Sequence, residues 1–475
     1  MRLNIHSIRR GGAVLSAALL MVWPALYNRY PLLYPDSVAY VQDGPVVARA
    51  LFLHKFADYF GMRSLIYSIG IFPFHWGINL SPVVALHAAL TAYVLWLVVR
   101  SIVPRWTAIC YFAVVAPLSL LTGLGWTVSL IMPDILGPLL YLCIYLLVFA
   151  PESLSRGERL TLIPIAWWAA ASHVTHVILA AGMCVLLASL LVFGRRPNAL
   201  RWKAVGGVAV IVLMALAAQF ALNAYLYDRP SLDHEQPPFL TARVIADGPG
   251  RWYLERHCGN SELAVCDYVQ NLPGSTDSFL WDENGIWQNA STEQQDLLRR
   301  QEMGFVMATL RVYPRQQLLI SLHNFWRQLT TFDLSEDAND LFLDWTLPGA
   351  GYAQGRQAQQ KLPEDLFTSV QSWTVIASIV LIGVLLPFAW RRLSPRLAGL
   401  GVVILFAIIA NAFVTGVLSE VDGRYQSRVV WLLPLLAGGF VLEWIEQRSS
   451  KFAFKRLAGD VVLPVAAASA ASLNT

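Results

Sequence analysis

The chain has 475 residues, of which 56% are hydrophobic and 14% charged, with a mean hydropathy of +0.50 and a formal net charge of +4. So large an apolar excess excludes an ordinary soluble domain, and so small a net charge gives no basis for binding nucleic acid. The composition is that of an integral membrane protein whose apolar runs approach the roughly 20 residues needed to cross about 30 Å of hydrocarbon. Such runs are helical because lipid offers no partner to a free backbone group.

In chain order the predicted spans are 12–28, 82–103, 106–122, 128–150, 160–173, 175–193, 204–226, 368–390, 397–418 and 429–445. The fold class is therefore an all-α polytopic membrane protein with about ten transmembrane helices. Segment 64–80, "SLIYSIGIFPFHWGINL", is apolar but carries Pro73, His75 and Gly77, and is read as a helix at the interface. The divisions that follow are a module over 1–226 with a first external loop at 29–81, an external subdomain over 227–367, further spans over 368–447 and a tail over 448–475.

The cations set the sidedness. Arg2, Arg9 and Arg10 precede the first span, and the same side then receives Arg100 and Arg105, Arg156 and Arg159, Arg195 to Lys203, Arg391 to Arg396, and Arg448 to Arg456. The opposite turns "TGLGWT" and "ASHVTH" hold neither Lys nor Arg. Ten crossings with both termini cytoplasmic satisfy the positive-inside rule, and an eleventh at 64–80 would reverse every later loop. The first span has a basic flank but "WPALYNRYP" has no small-x-small cleavage pattern, so it is expected to stay as an anchor. Cys110, Cys143 and Cys184 fall within spans and read as packing residues. Cys258 and Cys266 fall in the external segment, where a local disulfide is expected rather than a metal pair.

Segment 227–367 interrupts the apolar pattern with about 140 polar, aromatic-rich residues. After "YDRPSLDHEQPP" and the cysteine pair it shows helical periodicity in "TEQQDLLRRQEMGFVMATL" and "YPRQQLLISLHNFWRQL". Leu318, Leu319, Leu322, Phe325 and Trp326, beside Arg315 and Arg327, suit either a helix on the membrane surface or packing inside the subdomain.

With this topology every conspicuous polar group faces the outer side. Asp36, Tyr40 and Asp43 follow the first span, and Asp134 in "IMPDILGP" is placed one to two turns inside the outer end of the fourth. His173 and His176 occupy one outward turn; Glu420, Asp422, Arg424 and Tyr425 in "LSEVDGRYQSR" occupy another. Each has a plainer role too. Asp36 suits an N-cap for a helix starting at Ser37, and Pro133–Asp134 suits a helix start. The histidines could serve the turn or, with a carboxylate, a metal, so a divalent cation is left open. Arg424 could pair with Asp422 or Glu420, or snorkel.

A surface carboxylate can act as general base, and an arginine can neutralise a leaving phosphate. No Walker A loop, GxGxxG, HExxH or GxSxG is present. A basic N-terminus, one span, an acidic motif opening the first external loop ("YPDSVAY"), interfacial helices, a second acid at the outer end of a later helix, and a late Arg-Tyr before a Pro-containing span ("GRYQSRVVWLLPLL") together resemble the GT-C superfamily of polyprenyl-phosphate-sugar-dependent glycosyltransferases. The likeness covers 1–230 and, less fully, 368–445. It implies a catalytic site with Asp36 as base, Asp134 as the second acid and Arg424 on the donor phosphate. Asp36-Ser37 stands where many members carry adjacent acids, which leaves base identity and metal use open.

The resemblance implies an inverting transfer of a sugar from a polyprenyl-phosphate lipid to a glycan, lipid or protein of the cell envelope. The enzyme would lie in the inner membrane among its lipids, with 227–367 periplasmic. A glycan polymerase or ligase of similar fold is the nearer alternative. A transporter or flippase using Asp134 and the histidines as ion sites is the more distant one, and no inverted repeat speaks for it.

Overall fold

The computed structural model describes residues 5–56, 63–104, 107–194, 200–227, 231–232, 236–334, 352–389 and 393–462. Part of "YDRPSLDHEQPP" and the Ala/Ser-rich end at 463–475 lie outside them. Among the described residues there is no strand; the one β-type contact is an isolated parallel bridge between Leu32 and Leu130.

Each predicted span holds a helix, and among the described residues six helices are long and apolar enough to cross a membrane: Ser81–Ile102, Val174–Phe193, Trp202–Tyr227, Glu364–Phe388, Pro395–Leu418 and Gly423–Arg448. Arg10–Met21, Ala108–Leu121 and Pro133–Phe149 are shorter apolar helices. The architecture is that of a helical, membrane-embedded protein.

The expected continuous fourth span at 128–150 is corrected. Helix Leu124–Ser129 ends in extended chain, a 3₁₀ turn follows at Pro133–Ile135, and the main helix runs over Leu136–Phe149. Pro133 has no N–H to donate and disfavours the helical region for the residue before it, so Met132 is extended at φ −144°, ψ 156°. The backbone groups left open are taken up by the first loop: Leu32 N–H donates to Ser129 O at 2.9 Å and Ile131 N–H to Leu32 O at 3.0 Å. Asp134 therefore sits at the start of its helix, not one or two turns inside it.

Segment 64–80 forms helix Leu65–His75, whose 11 residues extend about 17 Å, too short to cross. It pairs with helix Pro35–Leu53, and the two approach so closely at Gly44 that a Cβ there would lie 2.8 Å from Ser68 O. The last span is broken at Trp431 between Gly423–Val430 and Leu432–Val462, and the second piece runs past the boundary expected at 448.

At the far end of the Leu136–Phe149 helix, Glu158 joins three helices. Its carboxylate accepts from Arg10 at 2.6 Å and Arg100 at 2.7 Å, and it completes a capping box with Ser155.

The insertion is helical where described, with its own core around Leu254, Phe279, Leu280 and Phe305. Cys258 and Cys266 are joined in a disulfide beside that core. Its helix Pro314–Thr330 lies along the apolar helix Pro395–Leu418. The packing reading of its leucines is corrected: Leu318, Leu319, Leu322 and Trp326 are 52–63% exposed, while Gln317, Asn324 and Gln328 are buried.

Candidate functional site

Helix Pro35–Leu53 opens on a proline, whose missing N–H costs nothing in a first turn. The cap is not Asp36, as the sequence suggested. Tyr34 holds that position, with its N–H donating to Ser37 Oγ at 2.9 Å. Asp36 is thereby free to turn its carboxylate to Arg63, whose Nη2 lies 2.5 Å from Oδ1. Arg63 also lies over the Trp281 ring, 5.5 Å from its centroid, so the 227–367 insertion reaches this pair.

Asp134 is bound from the other direction. Asp422 caps helix Gly423–Val430 by accepting from Arg424 N–H at 2.8 Å. Arg424 and Arg428, four apart on that helix, share a face. Arg424 Nη1 reaches Asp134 Oδ2 and Arg428 Nη1 reaches Oδ1, each at 3.3 Å. The Arg424 guanidinium also lies 3.8 Å from the Tyr34 ring centroid and 5.0 Å from that of Tyr425. Arg428 Nη2 donates to Asn411 Oδ1 at 2.9 Å. Gly423 is required here, because a Cβ would run into the Asp333 carboxylate.

Tyr40, one turn after Asp36, is buried edge-on against Tyr67. Burial, reinforced by the Asp36 charge, pushes its phenol well above the usual range. His173 caps helix Val174–Phe193, its Nδ1 accepting from Thr175 N–H at 3.2 Å. Burial, then the neighbouring His176 and Arg428, keep it neutral well below the usual histidine range. His176 Nδ1 bonds to Ala169 O at 2.8 Å. Both histidines thus serve the turn, and among the described residues no group of three or more His, Cys, Asp or Glu is arranged to hold a metal ion.

Two expected members stand apart. Glu420 Oε2 accepts from Asp277 N–H at 3.0 Å, at the junction with the subdomain. Asp43 is buried about 10 Å further along the helix axis from Asp36.

The loop carrying Tyr34 is held on both edges. Leu32 pairs with the backbone at Ser129 and Ile131, and Leu33 exchanges two hydrogen bonds with the Gln357 side chain, at 3.0 and 2.7 Å. Gln357 belongs to a short strap late in the insertion, just before the Glu364–Ala389 helix, and Arg356 of that strap stacks on Tyr27.

The assembled centre sets three guanidiniums, Arg63, Arg424 and Arg428, against the two carboxylates that bind them. Asp36 keeps 17% of its side chain exposed and Asp134 only 3%. Two narrow clefts flank it, one at Tyr40, Arg63 and His173, the other at Asp134, Arg424 and Arg428.

Sequence reasoning missed Arg63, Arg428, Asn411, Trp281 and Gln357. Arg428 had a signal in its spacing of four from Arg424; the others meet the site only through contacts distant in sequence. Compared with protein-family models, with curated proteins and with solved structures, the chain matches none.

Proposed function

We propose that this chain is an inverting membrane glycosyltransferase of GT-C type, moving a sugar from a polyprenyl-phosphate donor to a cell-envelope acceptor. The observation that carries the reading is the centre itself, in which a partly exposed carboxylate, Asp36, is paired with Arg63, and Tyr34, two residues before it, lies against the guanidinium of Arg424, a group able to receive a phosphate. Asp36 accepts the proton of the acceptor hydroxyl. The acceptor oxygen bonds to the anomeric carbon from the face opposite the phosphate, the carbon–oxygen bond to phosphate breaks, and its electron pair leaves with the polyprenyl phosphate. Arg424 offsets the charge on that leaving group. Asp134, clamped and closed to solvent, positions Arg424 and Arg428 in this scheme.

The same reading takes the ten helices as ten crossings of the inner membrane, with both termini cytoplasmic and 227–367 periplasmic. Its support is that residues after the first span, at the fourth, between the fifth and sixth, and between the ninth and tenth meet in one place, as alternate crossings require.

Asp36→Asn tests the catalytic role. Since Tyr34 and Ser37 form the cap, the amide leaves the helix start intact; it also gives up the charge that pairs with Arg63, so unfolding of the variant is measured beside transfer from lipid-linked donor, which falls on the order of 10²–10⁴-fold. Near-normal turnover in purified protein would remove Asp36 as the base.

A further inference from the structure

Helix Pro314–Thr330 turns its polar side chains inward. Asp247 accepts from Gln317 Nε2 at 2.7 Å and Asn324 Nδ2 at 2.9 Å. Gln328 exchanges two hydrogen bonds with the backbone of Asp422, at 2.7 and 3.0 Å. Leu318, Leu319, Leu322 and Trp326 are left facing outward. On a helix exposed to water this is the reverse of the expected pattern.

The neighbouring helix supplies the reason. The Gln328 side chain packs on Pro395–Leu418 at Gly416, and Phe325 meets Phe413 with ring centroids 6.4 Å apart. Pro395–Leu418 is long and apolar enough to cross a membrane, and exposes Leu405, Ile409 and Phe413, each about half. The outward face of Pro314–Thr330 continues that apolar surface through Phe325. Arg315 and Arg327 are exposed on the same helix, supplying charge complementary to lipid phosphates, while Trp326 is the residue type favoured at the headgroup level.

We infer that helix Pro314–Thr330 lies in the bilayer surface, docking the external subdomain onto lipid phosphates and acyl chains. The inference does not depend on the transferase reading. Because Gln328 holds the Asp422 that caps the Arg424 helix, the lipid-seated helix and the candidate site share one turn.

The test is a nitroxide at Leu322→Cys in the full chain, reconstituted in nanodiscs, with Glu293→Cys on the exposed start of helix Thr292–Val312 as the aqueous control and Leu319→Cys as a second probe of the apolar face. Lipid seating predicts high accessibility to oxygen and low accessibility to a water-soluble nickel chelate at 322 and 319, the reverse of 293. Nickel accessibility at 322 and 319 equal to that at 293 overturns it. So does protection from both quenchers with dipolar broadening between labels, which would mark a second copy of the chain on this face.

Discussion

Arg424 and Asp134 stand 290 positions apart in the chain, yet Nη1 of one lies 3.3 Å from Oδ2 of the other, in a setting closed to solvent. Arg428 holds the second carboxylate oxygen at the same distance. Asp134 thus pairs with two buried cations at once.

Asp134→Asn should therefore destabilise the fold by about 3–5 kcal/mol, the cost of leaving buried charge unpaired. Arg428→Met in the same chain should recover part of that loss. Unfolding of both variants in detergent, against each single substitution, checks the coupling; additive losses would show that the pair does not interact.

Arg424→Lys keeps the charge but not the planar fork that reaches Asp134 while stacked on Tyr34. Affinity for polyprenyl phosphate should fall roughly ten- to a hundredfold, the worth of one hydrogen bond to a charged group, at temperatures where the variant is still folded. Titration with the lipid phosphate reads this directly, and unchanged affinity in Arg424→Ala would remove the residue from the donor site.

Glu420 gives a pH signature away from the centre. Burial, then the charge of Asp277, push its carboxyl up to about 7 from an ordinary 4.5. The folded state then holds the proton more tightly than the unfolded one, so this contribution to stability is complete below 4.5 and is lost as pH rises through about 7. Glu420→Gln should flatten the dependence in that window. Melting temperatures measured across it would show the same slope in both proteins if Glu420 were not responsible.

The Cys258–Cys266 bridge spans a sequence separation of 8, and removing it should cost about 2.5 kcal/mol by loop entropy. On the proposed topology these cysteines face the periplasm. A membrane-impermeant maleimide should label them in intact cells only after reduction. Labelling that requires the membrane to be opened would reverse the assigned sides.

Apolar length and cation placement made the positions of the helices legible, and the outward turns drew attention to Asp36, Asp134 and Arg424 before any coordinates. What they could not show was partnership. Asp36 reads as a cap because Asp after Pro commonly is one; only the fold reveals that Ser37 serves Tyr34 and that Arg63 claims the carboxylate. Pro133 marked an interruption, but the chain that fills it comes from Leu32, about a hundred residues earlier. Glu420 was drawn into the cluster by its closeness in sequence to Arg424, whereas one turn of backbone is enough to aim it at Asp277 instead.

The strap at Gln357 makes the insertion inseparable from the membrane body. A chain shortened by joining 226 to 368 would keep every membrane helix and still lose the side chain that pairs with both backbone groups of Leu33. The loop would then have one edge to lean on instead of two, and Tyr34 would lose part of what fixes it over Arg424. Splitting the protein into co-expressed halves within 335–351 leaves Gln357 in the second half. The pairs of Asp134 with Arg424 and Arg428 and the packing of helix Pro395–Leu418 would draw the halves together, and second halves that begin before or after Gln357 should differ in how firmly they hold the Tyr34 loop.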